Sequence, residues 1–594
     1  MPNLEIEKPC DKKVNNCDPA KDAFKKLHAE YERSRDAGAD SKDKHDIKIK
    51  SADDKHEQEW TVVVDLTANK YFQPQDPNGK VTEIGAADKI KRLKEMAAET
   101  KNKPVTMIVQ WANNGEPHLQ RDGEIKLGDG DKNAPAQLER YRIKNGEIEQ
   151  LPSPKDKGFS QNLAELADAA MKENPSRRVA LFLNADGGGN VGFRGADGTA
   201  TLDDVTRKLK NSLQKNNRDK FDIVDYDCCL MAQDGSVKKT AEITDSLVAS
   251  AETERCVKGA DGQNLTASMR ELLKNPGMSG SEFARQIVEQ AKNGANDLPP
   301  RDKSGKASEF ESGTNTLAAF DLTQEKALAD KVDKFGTELS AACQDPATRA
   351  AIDSIIKKIG KYCDDKGAPD ADLYQNRDVK LFAEEVIKAA QNKSDSNNPV
   401  IKDETHKLQN SAEELLRSLS DVTLDKRGRD VENGPLAYDK AGCLSVFLPE
   451  KGFYDKEQAV KDRLDTMNHM IESSYKRGID SHDPEMFDAC ARGLVCMGLG
   501  DFRGMFKDGA MSTESQEFWK TVDKMSQAQT HEQFVGGMEA VRKAMNNLRS
   551  RAEFDAALTK EANRLEKAHR DRWKEQANLN EPGWNQFVET LIHG

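Results

Sequence analysis

No stretch of about 18 consecutive apolar residues occurs in the 594-residue chain, so no membrane-spanning helix is expected. Met1 to Cys10 carries acids and prolines in place of an apolar segment, which argues against a Sec-type signal peptide. The ten cysteines form no Cys-x-x-Cys pair and no zinc-ligand spacing. They read as reduced thiols in a cytoplasmic setting, with export by a route lacking a Sec signal as the alternative. No His-Glu-x-x-His, Walker A loop or serine nucleophile elbow is present. The ten histidines form no ligand cluster, and none lies between His118 and His406. Asp129-Gly130-Asp131-Lys132-Asn133 opens like a calcium loop. Ala134 stands at its glycine position, however, and Arg140 at its closing glutamate, so the segment reads as a surface turn. No metal site is expected from the residues themselves.

What is present is charge. Acids outnumber bases, 103 to 90, giving a formal charge of −13, and charged residues make up 32% of the chain. An acidic balance argues against a nucleic-acid partner, which wants a basic face. It suits a basic substrate, although solubility alone accounts for it.

Residues 1–55 are dominated by Lys, Asp, Glu and Ala and read as a charged tail with one short amphipathic helix near Ala23–Arg35. From Trp60 the pattern changes. Thr61–Leu66, Val105–Val109, Val179–Leu183, Phe221–Val224 and Leu247–Ala249 are short apolar runs, as strands buried on both faces require. Helical periodicity lies between them, at Ala87–Thr100, Asn162–Lys172 and Leu202–Leu213. Alternation of this kind predicts an α/β fold with a mainly parallel sheet flanked by helices. Thr316–Phe320 and Cys443–Leu448 are later strand candidates, and residues of about 325–440 between them read as a helical insertion with polar loops. Residues 456–594 show only helical periodicity, with their own apolar stripe at Met486, Phe487, Cys490, Leu494 and Met497, and are expected as a separate helical region.

Ligand chemistry in such a sheet collects at the carboxyl ends of strands. Two ends stand out: Asn184-Ala185-Asp186-Gly187-Gly188-Gly189 and Asp225-Tyr226-Asp227-Cys228-Cys229-Leu230-Met231. The first contains Gly187-x-Gly189-x-x-Gly192, formally a dinucleotide fingerprint, but the following residues continue as loop where that motif needs a helix. A turn requiring positive φ, or a close backbone approach with glycine N–H groups aimed at an oxyanion, are the remaining readings. Cys229 in the second end is either a small buried residue or a nucleophile.

The order of these segments resembles the clostripain family of caspase-like cysteine peptidases. The similarity runs through Trp60-Thr61-Val62-Val63, Val105–Trp111, Arg140-Tyr141, the Asp227-Cys228-Cys229-Leu230-Met231 motif and Ala249-Ser250-Ala251-Glu252. It continues to Asp372-Leu373-Tyr374 and Leu444-Ser445 through Pro449, so it spans residues of about 58–455. The resemblance implies a caspase-like fold over residues 56–455 and a His–Cys dyad with Cys229 as nucleophile. It implies Gly187 and Cys229 as oxyanion donors. It also implies a peptide substrate with Arg or Lys before the cut, with Asp227 and Glu252 lining its pocket. Some members require calcium, and some cut themselves between the two catalytic motifs. That interval here carries Arg207, Lys208, Lys210, Lys215 and Arg218.

The family's catalytic histidine aligns with Asp186. Imidazole takes and returns a proton near neutrality, whereas a carboxyl with a pKa near 4 is a poor acid for a departing amine. Its charge also disfavours thiolate. A second departure is Arg255-Cys256-Val257-Lys258-Gly259, where the family carries Pro-Gly-x-Gly-Trp. Three readings follow: an endopeptidase with an altered dyad of Cys229 and Asp186, or with a distant histidine as its base; a pseudopeptidase that binds peptides or partners; or a divergent hydrolase that uses Asp186 and Cys229 on a different bond.

Overall fold

The computed structural model describes residues 58–66, 96–113, 118–119, 125–126, 137–195, 198–252, 265–293, 316–362, 375–393, 399–427, 440–450, 513–526, 530–548 and 580–593, with 563, 567, 570–571, 573–574 and 576–577. All belong to one unit, His56–Gly594. The strands, in chain order, begin with β1 (Trp60–Leu66), β2 (Val105–Asn113), β3 (His118–Leu119), β4 (Ile125–Lys126), β5 (Gln137–Lys144) and β6 (Glu147–Leu151). Next come β7 (Arg178–Asn184), β8 (Asp186–Gly187), β9 (Phe193–Gly195), β10 (Gly198–Ala200), β11 (Ile223–Asp227) and β12 (Ser246–Ala249). The last are β13 (Leu317–Asp321), β14 (Asn376–Asp378), β15 (Thr423–Arg427) and β16 (Ser445–Phe447).

Nine of these strands form one sheet in the order β15-β13-β12-β11-β7-β1-β2-β5-β6. The middle five, β2, β1, β7, β11 and β12, are mutually parallel, and two antiparallel strands close each edge. By chain order the parallel set runs 2-1-3-4-5, a doubly wound arrangement in which the carboxyl ends of neighbouring strands bound a crevice. The sequence expectation of a mainly parallel sheet flanked by helices holds.

β1 shows why its sequence makes a central strand. Val63 faces one hydrophobic cluster while Val62 and Val64 face the other, and all three are essentially inaccessible. A period-2 alternation of β-branched residues fills both sides of the sheet. One side is covered by α1 (Phe159–Glu173) and α2 (Leu202–Lys215), with Leu163, Leu166, Leu209 and Leu213 inward. α3 (Asp234–Thr240) follows β11. The other side is covered by α4 (Leu265–Lys274) and α5 (Gly280–Asn293), through Leu272, Phe283 and Ile287.

The described residues between 325 and 440 include α6 (Glu325–Ala342), α7 (Pro346–Ile359), α8 (Val379–Lys393) and α9 (Pro399–Val422). They also contribute β14 and the edge strand β15, which periodicity did not suggest. Cys443–Leu448 yields the short β16, paired with β14 and not with the main sheet. β5 and β6 were not anticipated either. Their exposed charges, Arg142 and Glu149 among them, mask the alternation. Arg207, Lys208, Lys210 and Lys215 belong to α2 and not to a loop, and Arg207 is ion-paired with Asp204 there. A peptidase takes extended chain, so α2 would have to unwind before being cut at these positions.

Beyond residue 512 come α10 (Thr513–Ser526), α11 (His531–Leu548) and α12 (Pro582–His593). Trp573, Trp584, Phe587, Val588 and Leu591 belong to the same hydrophobic cluster as α1 and α2. Trp584 donates through Nε1 to the Phe447 carbonyl at 3.0 Å and sits among the rings of Phe335, Phe382 and Phe587. α12 lies so close to α6 that a β-carbon on Gly336 would stand 2.5 Å from the Trp584 backbone. The stripe at 486–497, the tail at 1–55, the 129–133 turn, Asp372–Tyr374 and Arg255–Gly259 lie outside the described residues.

Candidate active site

The last residue of β11 is Asp227, and the chain then leaves the sheet abruptly. Cys228 turns into the core, 1% exposed, and donates its Sγ to the Leu183 carbonyl of the adjacent strand at 3.1 Å. Cys229, next along, is half-buried. The bend at this strand end takes one thiol wholly into the core and leaves its neighbour only partly buried against it.

Leu230 adopts φ 63°, a left-handed conformation that costs a branched residue on the order of 1 kcal/mol. Tertiary bonds hold it there. Leu230 N–H donates to the Glu252 carbonyl at 3.1 Å, and Ala232 N–H to the Ser250 carbonyl at 2.8 Å. Glu252 lies just past the end of β12, is 3% exposed, and has its own N–H held by Thr316 Oγ1 at 3.0 Å. Its backbone thus supports the turn that presents Cys229.

The glycine segment closes the other side. Asp186 and Gly187 form β8 and pair with Arg194 and Phe193 of β9, so the formal dinucleotide fingerprint is a tight β-turn-β unit. Gly189 and Gly192 take φ 64° and 99°, which satisfies the positive-φ reading of this run. Gly187 answers a different demand. A β-carbon there would collide with the Cys229 carbonyl oxygen and lie 3.0 Å from Cys229 N. Glycine is required at 187 because two backbones meet.

The backbone positions of Asp186, Gly187, Asp227, Cys229 and Glu252 therefore all lie at or just past the carboxyl ends of β7, β11 and β12. Asp227 is half-buried, and its Oδ2 accepts from Asn184 Nδ2 at 2.6 Å. Among the described residues no group of three or more His, Cys, Asp or Glu is placed to hold a metal ion. No described helix is long and apolar enough to cross a membrane.

Sequence reasoning missed the groups that hold the glycine turn. Gln233, at the start of α3, accepts at Oε1 from Asn190 N–H at 2.8 Å. Asn190 Oδ1 accepts from Ser236 Oγ at 3.1 Å, and Asn190 Nδ2 donates to Gln576 Oε1 at 2.8 Å. Gln576 is wholly buried and 386 positions away. Nothing local marks it. Beside this network Asp234, 6% exposed, has its carboxyl pushed up to about 7, first by burial and then by Glu581 and Glu325, against the pull of Lys238.

The clostripain family model matches residues 193–474, slightly under half of the chain, beginning after Asp186 and taking in Cys229, Glu252 and Leu444. No curated protein matches. Similar solved structures include a secreted C11 cysteine protease from Bacteroides thetaiotaomicron, at 11% identity and TM-score 0.41, covering 69% of this chain and 99% of that one. Another is an inactive zymogen C11 protease from Parabacteroides distasonis, at 15% identity and TM-score 0.34, covering 68% of this chain and 95% of that one. A region of this chain, residues 193–474, thus matches the clostripain family, with the Asp227–Met231 motif inside it.

Proposed function

We propose that the crevice at the ends of β7, β11 and β12 cleaves peptide bonds after Arg or Lys, slowly, with Cys229 as nucleophile. The observation that supports this most is the split between adjacent thiols: Cys228 is sealed in the core, whereas Cys229 is only half-buried, just before the left-handed Leu230. A peptide carbonyl placed there would be attacked by the Cys229 sulfur, and the N–H groups of Gly187 and Cys229 would hold the oxyanion. The amine must then leave with a proton, and water must hydrolyse the thioester. Asp227, half-buried beside Asn184, would receive the basic side chain.

Asp186 weakens the step that needs a proton donor. A carboxylate in the role that the family gives to histidine would favour the neutral sulfur and give no proton to the amine at pH 7. The loss is on the order of a hundred-fold or more in rate. That same residue favours the second reading, a groove that binds basic peptides without turning them over.

An Arg- or Lys-directed peptidyl electrophile distinguishes the two. Covalent capture at Cys229, read by mass spectrometry, supports a competent nucleophile. Capture at Cys228 with Cys229 protected would sink the assignment. No capture, with an unreactive analogue of the same peptide still bound, would favour the binding role.

A further inference from the structure

We infer that Gln576 is a positioning residue for the candidate site: the segment before α12 holds the glycine turn that faces Cys229. Gly188 N–H bonds to Gly192 O at 2.8 Å, and Gly192 N–H to Gly189 O at 2.8 Å, which closes the turn on itself. Side chains then tie it to its surroundings. Gln233 reaches in from α3, and a β-carbon on Gly189 would collide with its amide. Asn190, 6% exposed, bridges Ser236 of α3 and Gln576 of the distant segment.

Gln576 is itself held. Trp573, one helical turn before it, stacks on Phe447 at 5.6 Å, and Trp584 of α12 donates to the Phe447 carbonyl. Lys238 of α3 is ion-paired with Glu581 just ahead of α12. The same stretch therefore contacts both the glycine turn and the helix that follows Cys229. Gly187, three residues before Asn190, has its backbone against Cys229. A rotation of the turn about Asn190 would change that contact directly. An acceptor for Asn190 Nδ2 that arrives from 386 residues away makes the C-terminal segment part of the site.

The test replaces Gln576 with Leu, which keeps the bulk and removes the acceptor, and with Glu, which keeps the acceptor. Thr590→Val serves as the control, since it removes the α12–α6 bond to Ser340 without touching the turn. Hydrogen exchange of the peptide spanning 184–195 should speed up about fivefold in Gln576→Leu, as the loss of one buried hydrogen bond allows. It should stay near wild type in Thr590→Val, and in Gln576→Glu at about pH 4, where the buried carboxyl is protonated and keeps its acceptor oxygen. Asn190→Ala should give the same acceleration, and adding Gln576→Leu to it should add nothing. Alkylation of Cys229 should change in step while Cys228 stays protected. Unchanged exchange at 184–195 in Gln576→Leu overturns the inference, as does acceleration that spreads equally to β1 and α1. The inference uses the reading of Cys229 as the reactive thiol only for the labelling arm. A Cys229 inert in the wild type would count against the peptidase reading, while the exchange arm still decides the role of Gln576.

Discussion

The backbone of Gly187 lies against that of Cys229 so closely that any β-carbon at 187 would overlap the Cys229 carbonyl oxygen. Gly187→Ala must therefore push the glycine turn and the cysteine turn apart. The expected cost is about 1–3 kcal/mol of stability, the usual range for overpacking. Reactivity of Cys229 toward a peptidyl electrophile should fall at least about tenfold, since a misplacement near 1 Å is enough for that. Wild-type labelling kinetics in a folded Gly187→Ala protein would show that the contact does not set the geometry of the site.

The terminal helix is core and not appendage. Trp584 is 1% exposed, is hydrogen-bonded to Phe447, and packs on α6 where only glycine fits at 336. Trp584→Ala should cost about 3–5 kcal/mol, as removal of a buried indole does. Denaturant unfolding gives the number. A loss under about 1 kcal/mol would mean that α12 contributes little to the fold around the site.

Asp234 gives stability a pH dependence with a definite sign. Its carboxyl rises from an ordinary 3.8 to about 7 in the folded chain, through burial first and then Glu581 and Glu325, opposed by Lys238. Between those values the folded state holds a proton that the unfolded state has lost. Stability from this group is thus greatest in acid and declines as pH rises from about 4 to about 7, levelling off above. Glu325 is raised as well, again chiefly by burial, and acts in the same direction. Asp234→Asn should remove part of the slope and be more stable than wild type at pH 8, on the order of 1–3 kcal/mol. Parallel stability profiles for the two proteins from pH 5 to pH 8 would refute the assignment.

The sequence showed the central strands because burial on both faces leaves runs such as Val62-Val63-Val64 that nothing else explains. It also singled out Gly187 and Cys229 as candidates, because a glycine run and a cysteine at adjacent strand ends are local signals. β5 and β6 at the sheet edge were hidden by their charges, and β15 by its place after the long helix α9. The bonds from Gln233 and Gln576 to Asn190 were illegible for another reason. A glutamine has no preferred partner until the fold brings one to it, and separations of 43 and 386 residues leave no periodic trace.

Asp186 opens β8, directly before the glycine that touches Cys229, at the position where the family resemblance puts histidine. If the missing imidazole is what limits turnover, Asp186→His should restore it. The backbone at 186 pairs with Arg194 in an ordinary strand, and a histidine is compatible with that conformation. We expect wild type to cleave Arg- or Lys-containing peptides weakly or not at all. Asp186→His should gain about a hundred-fold or more, the usual contribution of a placed general acid–base. Its rate should rise with pH through the imidazole pKa, near 6.5 in an unperturbed group, as thiolate forms. Cys229→Ala in the same background should abolish the gain, and Cys228→Ala should leave most of it. Full wild-type activity that survives Asp186→Ala would identify another residue as the base. A silent, folded Asp186→His that still binds basic peptides would instead favour a peptide-binding groove.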